Sequence, residues 1–422
     1  MAATITPIYR RVRTTVWLPL GFMYASYYMT RYNLSFSKTT ITSEFHFSNQ
    51  EWGWIGAAFF WMYAIGQFIN GQLTDKFGGR KAIVFGAVGT VILNFAFGLG
   101  AGIGSISYFI IMWGANGYFQ SFGAPSIVSV NGNWFGLKER GTFTGIFGMM
   151  IQLGRFAITL LGGYLIVSYP WPSLFFVPAI ITGLFAVLAW FAIKDHPEDL
   201  GFEPPDMGEH DQDTGDKPLG IAYTLKKVLT SPVLWVISGA YFCTGVVRQG
   251  LEQWFPAYLQ EVRHLAPNSL AFQLQAVAMP IAAVLGAFAA GLTSDKLFGS
   301  RRSPPAALMY FVQFILLMAF YYFTTPGTAA VYLIALSFFV NGPHSLLGGA
   351  AAMDFGGRKA AGSAAGMIDA FQYIGAGITS PMVGWVIDTF GWDGWAVSLA
   401  GFALVGGILM TTIWNRRPTK AK

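Results

Sequence analysis

Gly71-Gln-Leu-Thr-Asp75-Lys76-Phe-Gly78-Gly-Arg80-Lys81 and, 220 positions later, Gly291-Leu-Thr-Ser-Asp295-Lys296-Leu-Phe-Gly299-Ser-Arg301-Arg302 are two versions of one short loop. Each leaves one apolar run and enters another, and each sets a carboxylate beside a group of cations. A second pair repeats at nearly the same offset: Phe135-Gly136-Leu-Lys138-Glu-Arg140-Gly141 returns as Phe355-Gly356-Gly-Arg358-Lys359-Ala-Ala-Gly362. Self-similarity at a fixed offset marks a duplicated structural unit, so the chain reads as two copies of one fold.

Composition says where those copies live. Of 422 residues 54% are hydrophobic and 11% charged, with mean hydropathy +0.49. Soluble domains carry about 25% charged residues, which excludes an ordinary water-soluble enzyme. A helix needs about 20 mostly apolar residues to cross a hydrocarbon core of about 30 Å. Runs of that kind lie at 15–37, 52–73, 82–102, 106–130, 141–168 and 172–193, and again at 232–260, 269–293, 304–324, 328–350, 361–386 and 394–414. The expected architecture is an all-α membrane protein of twelve transmembrane helices in two pseudo-symmetric six-helix bundles, residues 1–193 and 232–422. Between them, residues 194–231 contain Asp206, Glu209, Asp211, Asp213 and Asp216 and are too polar to bury a core; they read as a cytoplasmic linker.

Lysine and arginine set the orientation. Arg10, Arg11, Arg13, Lys76, Arg80, Lys81, Lys138, Arg140, Lys194, Lys217, Lys226, Lys227, Lys296, Arg301, Arg302, Arg358, Lys359, Arg416, Arg417, Lys420 and Lys422 fall on one side, and only Lys38 and Arg263 on the other. Both termini are therefore expected in the cytoplasm, which requires an even number of spans. The net charge of +6 reports these loops, and no nucleic-acid partner is implied. The single cysteine, Cys243, excludes an internal disulfide and a cysteine metal site. The first apolar run continues into a full span, so no cleavable leader is expected. Neither a phosphate-binding loop nor a nucleophile constellation is present, and neither enzymatic chemistry nor a cofactor or metal is expected.

Three arginines remain inside the spans, with Glu252, Asp369 and His344. An arginine at mid-membrane costs about 2.5–3.5 kcal/mol on insertion scales, so these positions carry the functional information. Arg31 lies about 16 residues into the first span and Arg248 about 16 into the seventh, its repeat counterpart, at equal depth by helical rise. One arginine from each half would then face a common central cavity. Tyr24, Tyr28 and Arg31 follow i, i+4, i+7 spacing and share a helix face. Two guanidinium forks flanked by phenols suit a tetrahedral oxyanion, which arginine binds bidentately; the plain alternative is that each arginine pairs with a buried acid. Glu252 is at salt-bridge spacing from Arg248.

Both Asp-Lys loops resemble the signature of the major facilitator superfamily. More narrowly, Tyr27-Tyr28-Met-Thr-Arg31-Tyr-Asn33, Arg248-Gln-Gly250-Leu-Glu-Gln-Trp254-Phe-Pro256-Ala-Tyr258-Leu259, Asn341-Gly342-Pro343-His344 leading to Lys359-Ala-Ala-Gly362, and Asp195-His-Pro-Glu-Asp-Leu-Gly201 are similar to motifs of the organophosphate:phosphate antiporter family, over nearly the whole chain. The resemblance implies that Arg31 and Arg248 hold a phosphoryl group, that Tyr24, Tyr28 and Tyr63 line the same cavity, and that the loops with Asp75, Arg80, Asp295 and Arg301 gate the bundles. Gln67 and Gln152 stand where the glycerol-3-phosphate transporter has Lys and His, so glycerol 3-phosphate need not be the substrate. Arg155, one turn after Gln152, would restore the missing cation. Asp369 either binds a cationic or hydroxylated part of the substrate or neutralises Arg155. His344 is either a packed helix residue or a proton carrier.

The function implied is a secondary active transporter that exchanges a sugar phosphate, related phosphate ester or phosphonate for inorganic phosphate by alternating access. It would act as a monomer in a bilayer, a bacterial inner membrane, with a small anionic substrate as its partner. Two other readings use the same residues. A proton-coupled symporter of a sugar acid would take up protons at Asp369, Glu252 or His344, and a transporter-like sensor would bind a sugar phosphate and signal through another protein.

Overall fold

Proline, glycine and polar residues decide where the long apolar runs become helices and where those helices stop. The computed structural model describes residues 7–203, 230–325, 327–351 and 361–416. The acidic cluster of the linker, and Arg358 with Lys359, lie outside the described residues. The first half contains α1 (Pro7–Phe45), α2 (Asn49–Phe77), α3 (Gly79–Leu99), α4 (Ile106–Gln120), α5 (Gly123–Trp134), α6 (Leu137–Ser168) and α7 (Ser173–Ala192). The second contains α8 (Pro232–Glu261), α9 (Leu270–Lys296), α10 (Ser303–Phe323), α11 (Ala329–Ser345), α12 (Ala361–Phe390) and α13 (Trp392–Thr412), with a π turn at Leu346–Ala351 after Pro343.

The expected spans are present, with one correction. The fourth, read as a single run over 106–130, is two helices, α4 and α5, broken at Ser121-Phe122. Pro125 has no N–H to return to the Ser121 carbonyl, and Ser121 and Phe122 instead make i→i−3 bonds to Tyr118 and Phe119 at 3.2 and 3.3 Å. Seven described helices are long and apolar enough to cross a membrane. α1 and α8, which carry Arg31 and Lys38, and Arg248 and Glu252, are not among them. α1, at 39 residues, is about 58 Å long at 1.5 Å per residue, so its first turns lie beyond any hydrocarbon core. There Arg13 pairs with Glu139 at 2.6 Å, and the buried Tyr9 hydroxyl donates to the Trp134 carbonyl at 3.0 Å. Burial raises the Tyr9 phenol pKa, against the lowering effect of Arg13, and so keeps it a donor.

By packing, the chain forms two compact units. One takes residues up to Thr40 and from Trp61 to the linker; the other takes Ile41–Phe60 and the chain after the linker. In the first, α3 packs on α4, α5 and α7 around buried Phe97, Phe109, Trp113, Trp171 and Phe175, with Phe97 stacked on Phe175 at 4.4 Å between centroids. In the second, α12 lies along α8, α11 along α9 and α13 along α10. Here Tyr258, Phe320, Trp392 and Trp395 form the matching aromatic cluster. Trp395 also donates to the Gly250 carbonyl at 2.9 Å.

The duplication inferred from the loops is repeated in helix packing. α6 crosses α1 at Gly154, where an added Cβ would overlap the Ala25 carbonyl; α8 crosses α12 at Gly245, where it would overlap the Gln372 carbonyl. Spans one and five therefore meet as spans seven and eleven do, backbone against backbone, as small residues permit in membrane helices.

The division at residue 193 expected from sequence places 41–60 with the first bundle, whereas packing groups them with the second unit. The Asp388 carboxylate explains this. It accepts the Asn49 backbone N–H at 3.1 Å, the Asn49 side chain at 2.7 Å and the Gln50 N–H at 2.8 Å, a charge-assisted cap on the positive end of α2.

Gly154→Val and Gly245→Val should each prevent recovery of monodisperse folded protein after detergent extraction, because the neighbour is backbone and has no rotamer to yield. Gly401→Ala, where nothing stands within 4 Å, should behave as wild type by size-exclusion chromatography.

Candidate functional site

In the first unit the helix periodicity of α1 brings the predicted residues onto one connected face. Arg31 is 8% exposed, and its guanidinium carbon sits 4.6 Å from the centroids of both the Tyr28 and Tyr63 rings. Cation–π contacts of this kind contribute about 2 kcal/mol or more when desolvated. Tyr24 packs edge-on to Tyr28 at 5.3 Å, and Tyr28 stacks on Tyr32 at 6.1 Å with 17° between planes. Beyond Tyr32 lies Arg155, its guanidinium carbon 4.9 Å from that ring and its Nη1 donating to Gln152 Oε1 at 3.3 Å. A ladder of tyrosines thus joins Arg31 to Arg155. Gln67, one turn beyond Tyr63 on α2, is half-buried.

Gln120 had no place in the sequence reading. Its Oε1 accepts the Arg31 Nε–H at 3.0 Å, and the residue is fully buried at the end of α4. The available signal was two carboxamides, Asn116 and Gln120, four residues apart in an apolar run, which puts them on one helix face.

In the second unit α8 is buried along nearly its whole length. Arg248 Nε lies 3.2 Å from Glu252 Oε1, and Glu252 is 2% exposed. The i+4 spacing therefore produces the ion pair that it allows, and Arg248 has a buried acid as its partner. Removing one partner of such a buried pair leaves an uncompensated charge and costs about 3–5 kcal/mol. His344 Nδ1 and the Tyr241 hydroxyl share a hydrogen bond of 2.7 Å, and the two rings stack at 5.5 Å and 10°. Asp369 is half-buried on α12. Cys243 is buried and free of disulfide. Of the span-seven motif, Gly250, Trp254 and Tyr258 hold α8 to α13 through the aromatic cluster, so their role is structural.

The two loops that opened the sequence are built differently. Asp75 is exposed. Asp195 Oδ1 accepts the Arg80 backbone N–H at 2.8 Å, capping α3, while the Arg80 guanidinium lies 5.3 Å from the Trp190 ring. In the second loop Asp295 pairs with Arg302 at 2.7 Å, whereas Arg301 donates from Nε to the Phe298 carbonyl at 3.1 Å.

A family model described as Major Facilitator Superfamily matches residues 20–380. The chain belongs to that superfamily. Among curated relatives, the glycerol-3-phosphate transporter of Bacillus subtilis is 30% identical over 96% of this chain and 93% of its own length. A probable hexose phosphate transport protein of Chlamydia pneumoniae is 27% identical over 96% and 92%, and a membrane sensor protein of Escherichia coli K12 is 27% identical over 96% and 92%. These relatives place it in the organophosphate:phosphate antiporter family, whose motifs the sequence carries. Among solved structures, a bacterial homologue of the human lysosomal transporter Spinster superposes with TM-score 0.82 at 16% identity, covering 97% of this chain and 99% of the other. The D-xylose-proton symporter gives 0.70 at 18%. Both share the fold of this superfamily member, a multi-pass membrane protein.

Glu252→Gln should lower the unfolding temperature of the ligand-free protein by the equivalent of about 3 kcal/mol. Thermal unfolding of the purified variant beside wild type reads the effect.

Proposed function

We propose that this protein is a secondary active transporter that exchanges a sugar phosphate, or a related phosphate ester or phosphonate, for inorganic phosphate by alternating access. The observation that carries the reading is the pair of buried arginines at repeat-related positions, Arg31 donating from Nε to a carboxamide and Arg248 ion-paired with a carboxylate. The planar fork of a guanidinium is the group suited to bidentate recognition of a phosphoryl group. The names of the relatives, which are transport proteins for hexose phosphate and glycerol 3-phosphate, support the same substrate class.

In this scheme the phosphoryl group takes the place of Glu252 at Arg248 and also engages Arg31, so that closure is favoured with substrate bound and not around an empty site. That difference favours exchange over leak without ATP. Tyr24, Tyr28 and Tyr63 line the phosphoryl end; Gln67, Gln152, Arg155 and Asp369 contact the organic part and set which ester is accepted. The loops with Asp75, Arg80, Asp295 and Arg301 act in gating. The termini are cytoplasmic, the protein works as a monomer, and a bacterial inner membrane is its location.

A second reading is favoured by one observation, the relation to a membrane sensor protein along almost the entire chain. A sensor would bind the same ligand and pass no flux.

Vesicles containing purified protein and loaded with radiolabelled phosphate should release label when sugar phosphates are added outside, and retain it with sugar acids. Arg31→Lys and Arg248→Lys should each reduce release at least about tenfold, since an ammonium cannot form the bidentate contact. Ligand binding without release would select the sensor; sugar-acid uptake driven by a proton gradient, with no phosphate release, would rule out the exchanger.

A further inference from the structure

Behind Arg31, on the side away from its helix face of tyrosines, the first unit holds an unbroken run of buried carboxamides. Asn33 on α1 donates to the Leu174 carbonyl at 3.1 Å and to Asn94 Oδ1 on α3 at 2.9 Å. Asn94 donates to the Thr90 carbonyl at 3.0 Å and to Asn116 Oδ1 on α4 at 3.4 Å. Asn116 donates to the Thr30 carbonyl at 3.3 Å, and Gln120 donates to the carbonyl and the hydroxyl of Thr30, both at 3.2 Å. Thr30, Asn33, Asn94, Asn116 and Gln120 are all 0% exposed.

The direction of this run is determined. A carboxamide has donors at one end and an acceptor at the other, and backbone carbonyls of Leu174, Thr90 and Thr30 hold the donor ends of Asn33, Asn94 and Asn116. The Thr30 hydroxyl gives its proton to the Ser26 or Tyr27 carbonyl, so toward Gln120 it can only accept. Gln120 must therefore turn its nitrogen to Thr30 and its oxygen to Arg31, where it receives Nε–H. A guanidinium has two edges for an oxyanion, Nη1–Nη2 and Nε–Nη, and Gln120 occupies the second. Because it is neutral, it does so without cancelling the charge, unlike Glu252 at Arg248.

We propose that Gln120 is a positioning residue for anion binding: the run from Asn33 through Asn94, Asn116 and Thr30 fixes its oxygen, which holds Arg31 through Nε and so sets the plane in which the guanidinium meets the phosphoryl group. This inference rests on phosphate being a ligand of the protein. A satisfied buried network of this kind is rigid, and rigidity is what a bidentate contact requires.

The test is phosphate:phosphate self-exchange by the full-length protein in vesicles, with KM and maximal rate measured separately and unfolding temperature recorded alongside. Gln120→Met should raise KM for phosphate about tenfold while leaving the maximal rate within about twofold. Gln120→Glu keeps the size and one acceptor but sets a carboxylate against Arg31, and should raise KM further; it also serves if the Met variant fails to fold. Asn70→Ala is the structural control. It removes buried hydrogen bonds to the Tyr118 carbonyl at 3.1 Å and Ser121 Oγ at 2.7 Å in the same unit, and should lower the unfolding temperature with KM unchanged. Wild-type KM in both Gln120 variants, or an equal rise in KM for Asn70→Ala, overturns the role of Gln120. Absence of phosphate exchange in wild type would instead overturn the exchanger reading on which it rests.

Discussion

A guanidinium inside a membrane protein keeps its proton at any physiological pH, so the surrounding chain has to compensate a charge it cannot remove. Arg31, Arg155 and Arg248 impose that constraint on the helices near them. Tyrosine rings lie over Arg31 and Arg155, and each arginine also meets an amide or carboxylate oxygen. Those partners come from α1, α2, α4, α6 and α8. α1 and α8, which carry Arg31 and Arg248, are not among the helices recognised as spans by length and composition, whereas α6 is recognised in spite of Arg155.

The duplicated halves answer the same constraint in different ways. In the first, Arg31 is held by a carboxamide from another helix and by two rings; in the second, Arg248 is held by a carboxylate one turn along its own helix. The difference is electrostatic before it is geometric. A carboxamide orients a cation and leaves its charge, whereas a carboxylate orients it and takes the charge away. A duplicated scaffold has thus given its two arginines different partners.

Much of the fold was legible because membrane insertion writes directly into composition. Twelve apolar runs and two copies of the Asp-Lys loop sufficed for the architecture, and the family motifs pointed to Arg31 and Arg248. Three things were not legible. The fourth span is broken where Pro125 denies Ser121 its i+4 donor, although the run stays apolar across the break. Residues 41–60 pack with the second unit because a single exposed carboxylate, Asp388, caps α2 from far along the chain. Asp295 finds Arg302, since the choice between adjacent arginines depends on a turn that puts Ser300 in the left-handed region.

What the sequence alone determined is the set of quantities that add up along a chain: hydropathy, charge asymmetry, the period of the repeat, and the helix faces on which Tyr24, Tyr28 and Arg31, or Arg248 and Glu252, fall together. What only the tertiary structure decided is which group from elsewhere in the chain orients Arg31. Gln120 is 89 positions from Arg31, and its oxygen faces that arginine only because Thr30, Asn116, Asn94 and Asn33, drawn from three helices, leave its nitrogen one place to go. Hydrogen-bond direction is a property of a closed network, and no local pattern encodes it.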